Sequence, residues 1–181
     1  MKALTLFTVL FLVACARCAP ILFSDSLVMS LLPQTITSAV AGLSAEQRVT
    51  YFEVNAKYAK EANGGELNGE QMAAMLEELQ KKDPKLHEIL RPVMQATEDK
   101  LARMDDSSSA FLDGYLNKVG SLTPLLAHDR DEFIRQLLKY ADAQWSTLPE
   151  ESRAHFRREF PQMAAVFEDT PLLKLAGVRS R

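Results

Sequence analysis

Two cysteines, Cys15 and Cys18, stand in the chain as C-x-x-C. In a folded enzyme that spacing serves a redox pair or half of a zinc site. Their surroundings redirect the reading. Lys2 precedes an apolar run from Ala3 to Ala16, and small residues follow it. A basic start, a short apolar stretch and small residues mark a secretory signal peptide. The run falls short of the roughly 20 residues that a membrane helix needs. Cleavage after Cys18, with Ala16 at −3, leaves a mature chain of residues 19–181 that begins Ala19-Pro20. Cleavage after Ala16, with Ala14 at −3, leaves Cys18 behind as a lone thiol, and a buried N-terminal helix is the remaining alternative. The favoured cut removes both cysteines, so the secreted domain would be held by packing alone, without disulfides.

The other reactive side chains form no constellation. His87, His128 and His155 lack metal-ligand spacing, and no H-E-x-x-H occurs. No G-x-S-x-G, phosphate-binding loop or G-x-G-x-x-G occurs either. The segment "NGGELNGEQMAA" at 63–74 loosely suggests a calcium loop. With Gly69 as the sixth loop residue, however, the first and twelfth ligands would be Gly64 and Met75, and neither can serve. Glu77-Glu78 and Asp105-Asp106 are adjacent, so each pair splays around a helix and cannot work as a general acid and base. The chain reads as a protein without catalytic residues, metal or cofactor.

Charge excludes a further class. Of 21 lysines and arginines the signal takes Lys2 and Arg17, leaving 19 against 24 acidic residues. An acidic balance argues against nucleic acid, whose phosphates need a basic face. No N-x-S/T acceptor for an N-linked glycan is present.

The remaining sequence has helical periodicity and helical punctuation almost throughout. Short helices are expected near 24–31 and 34–41. Longer ones follow near 45–61, 69–82, 84–104, 107–120 and 130–146, then shorter ones near 149–159, 161–168 and 171–177. Ser44 with Gln47, and Thr147 with Glu150, have capping-box spacing. Asn68, Asp83 and Asp129 are further N-cap candidates, and Pro84 suits a first helical position. Gly42, Gly64-Gly65, Gly120 and Gly177 stand where helices should stop. Pro92 falls inside an expected helix, where it cannot bond the Glu88 carbonyl and predicts a kink. The expectation is a single all-α domain of about ten helices.

The apolar stripes are continuous. Leu86, Ile89, Leu90, Val93, Thr97, Leu101 and Met104 share one face. Phe111, Leu112, Tyr115, Leu116, Val119 and Leu122 share another, and Phe133, Ile134, Leu137, Leu138, Ala141 and Trp145 a third. Helix 45–61 differs. Val49, Phe52, Ala56 and Ala59 form one apolar side, and Tyr51, Val54 and Tyr58 form a nearly opposite one. A surface helix normally carries one such stripe, so this helix is either packed on both sides or borders both a core and a cavity. Met72, Met75, Leu76 and Leu79 on one short helix, and Met94 and Met104 on the next, add soft apolar surface that fits either core gaps or a pocket for varied apolar ligands.

Ordered segments then carry a resemblance. They are "LLPQTITSAVAGLSAEQ" (31–47), "LEELQKKDPKLHEIL" (76–90), "FLDGYLNKVGSL" (111–122), "STLPEESRAHFRREFP" (146–161) and "LLKLAG" (172–177). Their order and spacing over the mature chain resemble the nematode fatty-acid- and retinol-binding proteins. That resemblance implies an all-α fold with a coiled-coil-like sequence and an internal apolar cavity. It also implies extracellular binding and transport of fatty acids and retinol (vitamin A), without catalysis. The sequence departs from the family pattern at Ala39-Val40, Pro92 and the glycine-rich "GGELNG", which bear on ligand preference.

On this reading the cavity wall is drawn from Phe52, Leu76, Leu90, Val93, Phe111, Leu116, Leu137, Leu138 and Trp145. Tyr51, Lys57, Tyr58, Arg135 and Lys139 are the candidates for the ligand head group. Burying about 14 methylenes at about 0.8 kcal/mol each gives a gross gain of roughly 11 kcal/mol. After association costs, affinities from micromolar to tens of nanomolar are expected. The protein is expected to act as a monomer that touches membranes transiently. The alternatives are a secreted helical interaction protein with a closed core, and a surface-active chain that spreads on lipid, which the short capped helices and Pro92 disfavour.

Overall fold

Helix signals in the sequence are honoured atom by atom at several termini. Ser44 Oγ accepts from the Gln47 amide at 3.2 Å, and Gln47 Oε1 accepts from the Ser44 amide at 3.1 Å, a complete capping box. Asp83 Oδ1 accepts from Leu86 N at 3.0 Å with Pro84 at the first turn. Asp129 Oδ1 accepts from Glu132 N at 3.0 Å. Two further caps are present: Asp105 receives both the amide and the hydroxyl of Ser108, and Asp169 receives the amide of Leu172.

The structure, a computed structural model, describes residues 26–61, 69–126 and 128–179. The expectations for the signal segment, both cysteines, Asn68 and Gly64-Gly65 fall outside these residues. The described chain is helical throughout: α1 Ser26–Ser30, α2 Gln34–Ala41, α3 Ala45–Glu61, α4 Gly69–Lys82, α5 Pro84–Ala102, α6 Asp106–Leu126, α7 Arg130–Thr147, α8 Glu150–Glu159, α9 Pro161–Glu168 and α10 Thr170–Leu175. The all-α expectation holds. None of these helices is long and apolar enough to cross a membrane.

Two local expectations are corrected. Helix α6 does not stop at Gly120 but runs to Leu126. Continuing the stripe buries Val119 and Leu122 and packs Leu125, which outweighs the roughly 1 kcal/mol cost of glycine in a helix. Thr147 does not cap α8. It ends α7, where its hydroxyl donates to the Gln144 carbonyl, and Pro149 precedes α8 without a side-chain cap. Gly42 ends α2 as expected, with φ −76° in the right-handed region, and among the described glycines only Gly177, at φ +69°, uses the left-handed freedom of glycine. Pro92 lies within α5, which continues on both sides of it, and its ring faces solvent.

The buried side chains form two clusters. The larger joins α6 and α7 with α8, α9, α10, α1 and the end of α5. Its centre is aromatic: the Phe111 ring meets Trp145, Phe156 and Phe167 at 5.2–5.6 Å, and Tyr115 meets Phe167 at 5.1 Å. Offset and edge contacts at these distances are the favoured aromatic geometry. Tyr115 is fully buried, and its hydroxyl donates to the Leu31 carbonyl at 2.9 Å. Helices α6 and α7 lie close enough that a Cβ on Gly114 would sit 2.8 Å from Tyr140 Oη. The smaller cluster is built by α2, α3, α4 and the first half of α5 from Val40, Leu43, Tyr51, Val54, Tyr58, Met75, Leu79, Leu86 and Leu90, with Phe52 and Leu76 against it.

Candidate functional site

Helix α3 decides where an apolar ligand could lie. Of its two apolar sides, the Tyr51–Val54–Tyr58 side is buried, while Phe52 is half-buried and Val49 is 56% exposed. The helix is therefore not sandwiched along its described side chains. Its buried side faces α4, and α4 in turn packs on α5, which packs on α2. These four helices enclose a small cavity lined by Ile36, Ala39 and Val40 of α2, Tyr51 and Asn55 of α3, Met75, Leu76 and Leu79 of α4, and Leu90, Val93 and Met94 of α5. Ile36 and Val93 belong to the larger cluster and most of the others to the smaller one. The cavity is thus the seam between the two cores.

Its volume is about 20 Å³. One water molecule needs roughly 10–15 Å³ on the same measure, and pockets for drug-sized ligands span roughly 300–1,000 Å³. The seam is closed in this structure, and a lipid chain can occupy it only if the four helices or their side chains move apart. The lining suits such movement, because Met75 and Met94 have unbranched, readily rearranged side chains. Two wider grooves, about 550 and 470 Å³, run along the outside of α7. Their charged walls, with Asp129, Arg130, Asp131, Glu132, Lys118 and Lys139, suit an acyl chain less well than the seam does.

The seam carries two polar side chains. Asn55 is 1% exposed, and its Nδ2 donates to the Tyr51 carbonyl oxygen at 2.5 Å, leaving Oδ1 with no partner among the described residues. Burial pushes the Tyr51 phenol well above its ordinary pKa, with the Asn55 amide acting in the opposite direction. Tyr51 therefore stays neutral and keeps its proton. Among the described residues, no charged side chain lines the seam.

The sequence candidates separate accordingly. Leu76, Leu90 and Val93 line the seam, and Phe52 packs on the cluster beside it. Phe111, Leu116, Leu137, Leu138 and Trp145 lie together in the aromatic core, apart from the seam. Of the head-group candidates, Tyr51 lines the seam and Tyr58 is buried in the same cluster. Lys57 is exposed, ion-paired with Glu78 and placed 5.0 Å over the Tyr58 ring. The Lys57 hydrogen bond holds the Glu78 carboxyl below the usual carboxylate range. Arg135 pairs with Glu132 on the outer face of α7, and Lys139 is exposed on that face.

Asn55 was not among the candidates. In the sequence it is a polar residue on an otherwise mixed helix, and only its burial distinguishes it. Met75, Leu79 and Met94 of the lining belong to the soft apolar clusters legible in the sequence, whereas Ile36 carries no signal beyond helical spacing.

The family model described as "Nematode fatty acid retinoid binding protein (Gp-FAR-1)" matches residues 29–177. That span runs from the middle of α1 past α10 and includes every residue that lines the seam. No curated protein and no solved structure matches significantly.

Proposed function

The chain belongs to the nematode fatty acid retinoid binding protein family, and from that premise we propose that it is a secreted, non-enzymatic carrier. Its ligand is a single fatty acid or retinol, taken up with its chain in the seam between α2, α3, α4 and α5. The observation that carries this assignment is an apolar, uncharged seam between two separately packed cores, lined on facing helices by methionine and leucine. Opening the seam separates the smaller cluster from Ile36 and Val93 and leaves the aromatic core intact. The apolar gain of roughly 0.8 kcal/mol per methylene then offsets the cost of parting the walls. The apolar N-terminal stretch behind Lys2 supports secretion. Acting as a monomer, the protein would collect and deliver lipid in brief contacts with membranes.

A closed-core interaction protein is the second reading, favoured by the 20 Å³ volume. The two part on one experiment. Mature protein, stripped of lipid, is titrated with retinol and with a fluorescent fatty acid. A saturable rise in emission at micromolar or lower concentration supports the carrier. No response to either at any concentration supports the closed core.

A further inference from the structure

A buried carbonyl oxygen without a donor is rare, because it forgoes the hydrogen bond it had in water. Asn55 Oδ1 is such an atom. The orientation of the amide is fixed, since the neighbour of its other end is the Tyr51 carbonyl oxygen, which can only accept. What Asn55 offers the seam is therefore an acceptor, set among Val40, Met75, Leu79 and Leu90.

We propose that Asn55 selects the head group of the bound lipid, accepting a hydrogen bond from a neutral O–H, and that the seam discriminates against a carboxylate. The O–H is that of an alcohol or of an un-ionised carboxylic acid. This rests on the carrier reading above. Among the described residues no lysine, arginine or histidine lines the seam, so an anionic head there would meet the Asn55 oxygen and no compensating charge. Tyr51 is the one titratable group among the described lining residues, and it stays protonated and neutral. Of the charged side chains described on α3 and α4, Lys57 pairs with Glu78, Lys81 with Glu77, and Lys82 with Glu78 and Glu53, Arg48 donates to the Leu43 and Ala41 carbonyls, and Glu46 and Glu70 are exposed. On α5, Lys85, Glu88 and Arg91 are exposed. Helix α2 has no charged residue.

The test uses full-length mature protein with retinol as the fluorescent probe, displaced by hexadecanol, its methyl ether or hexadecanoic acid. Hexadecanol should displace retinol about tenfold better than the ether, which lacks the proton. The acid should gain up to about tenfold per unit as the pH falls from 7.5 towards 5.5, while the alcohol stays level, because only the protonated acid is bound. In Asn55→Leu the alcohol and the ether should become equal. Equal displacement by alcohol and ether in the wild type, or an acid affinity flat with pH, overturns the proposal. These wild-type arms decide even if the variant does not fold. A protein that responds to neither retinol nor a fluorescent fatty acid overturns the carrier reading and this proposal together, whereas binding of either probe without head-group preference overturns only this one.

Discussion

Leu79 and Leu137 offer a matched pair for locating the ligand. Both are buried leucines in the middle of helices, 1% and 0% exposed. Leu79 lines the seam, and Leu137 belongs to the aromatic core. Replacing either with alanine removes three carbons, or about 2.4 kcal/mol of transfer free energy. Partial collapse of the void brings the total to roughly 3–5 kcal/mol. The void left by Leu79→Ala adjoins the 20 Å³ already present, so an acyl chain can refill it and recover the cavity part, about 1–2 kcal/mol. The void left by Leu137→Ala lies outside the seam and is not refilled. Ligand at 100 times its dissociation constant stabilises any binder by about 2.7 kcal/mol through mass action alone. The assay is urea unfolding followed by circular dichroism, with and without hexadecanol. Leu79→Ala should regain about 1–2 kcal/mol more on ligand addition than the wild type gains, and Leu137→Ala should regain no more than the wild type. If Leu137→Ala is rescued and Leu79→Ala is not, the ligand lies in the aromatic core and the seam assignment is wrong.

Other variants probe the frame. Asp83→Ala removes the cap of α5 and should cost about 1 kcal/mol in thermal or urea unfolding, with Asp83→Asn close to neutral. Gly114→Ala should gain less than the roughly 1 kcal/mol that alanine has over glycine inside a helix, because Tyr140 Oη, 2.8 Å from the new Cβ, must shift. In a Tyr140→Phe background the full gain should appear, a non-additivity that a double-mutant cycle reads directly. Glu159 is buried, and the hydrogen bond from Arg103 holds its carboxyl below the ordinary value of 4.5, with burial opposing. A carboxyl depressed in the folded state stabilises the fold above its unfolded pKa, and that contribution is lost as the pH falls through the folded value. Arg103→Met should therefore destabilise modestly near neutrality, since solvent screens the half-exposed arginine. The gap from the wild type in urea midpoints should close progressively in acid.

Helix registers and most of the caps were legible because they are local: Ser44 with Gln47, or Asp83 with Pro84, needs nothing beyond a few neighbours. The Thr147 cap and the Gly120 stop failed because tertiary burial extended α6 and set the α7–α8 corner. The stripes identified which side chains are buried without saying which stripe meets which. Leu90 and Leu137 look alike in the sequence, yet one faces the seam and the other the aromatic core. Asn55 was invisible for a different reason. Nothing in its spacing separates a solvated asparagine from a buried one, and the answer came only when α4 and α5 closed over α3.

The single tryptophan sits in the aromatic core, ringed by Phe111, Phe156 and Phe167, and does not line the seam. Its emission therefore has no contact through which to sense a lipid. A saturated acyl chain in the seam should leave the spectrum in place. Retinol absorbs where indole emits and can quench it through space without touching it. A titration in which retinol dims the tryptophan and a fatty acid does not would thus record spectral overlap and distance, and would carry no information about which lipid the protein prefers.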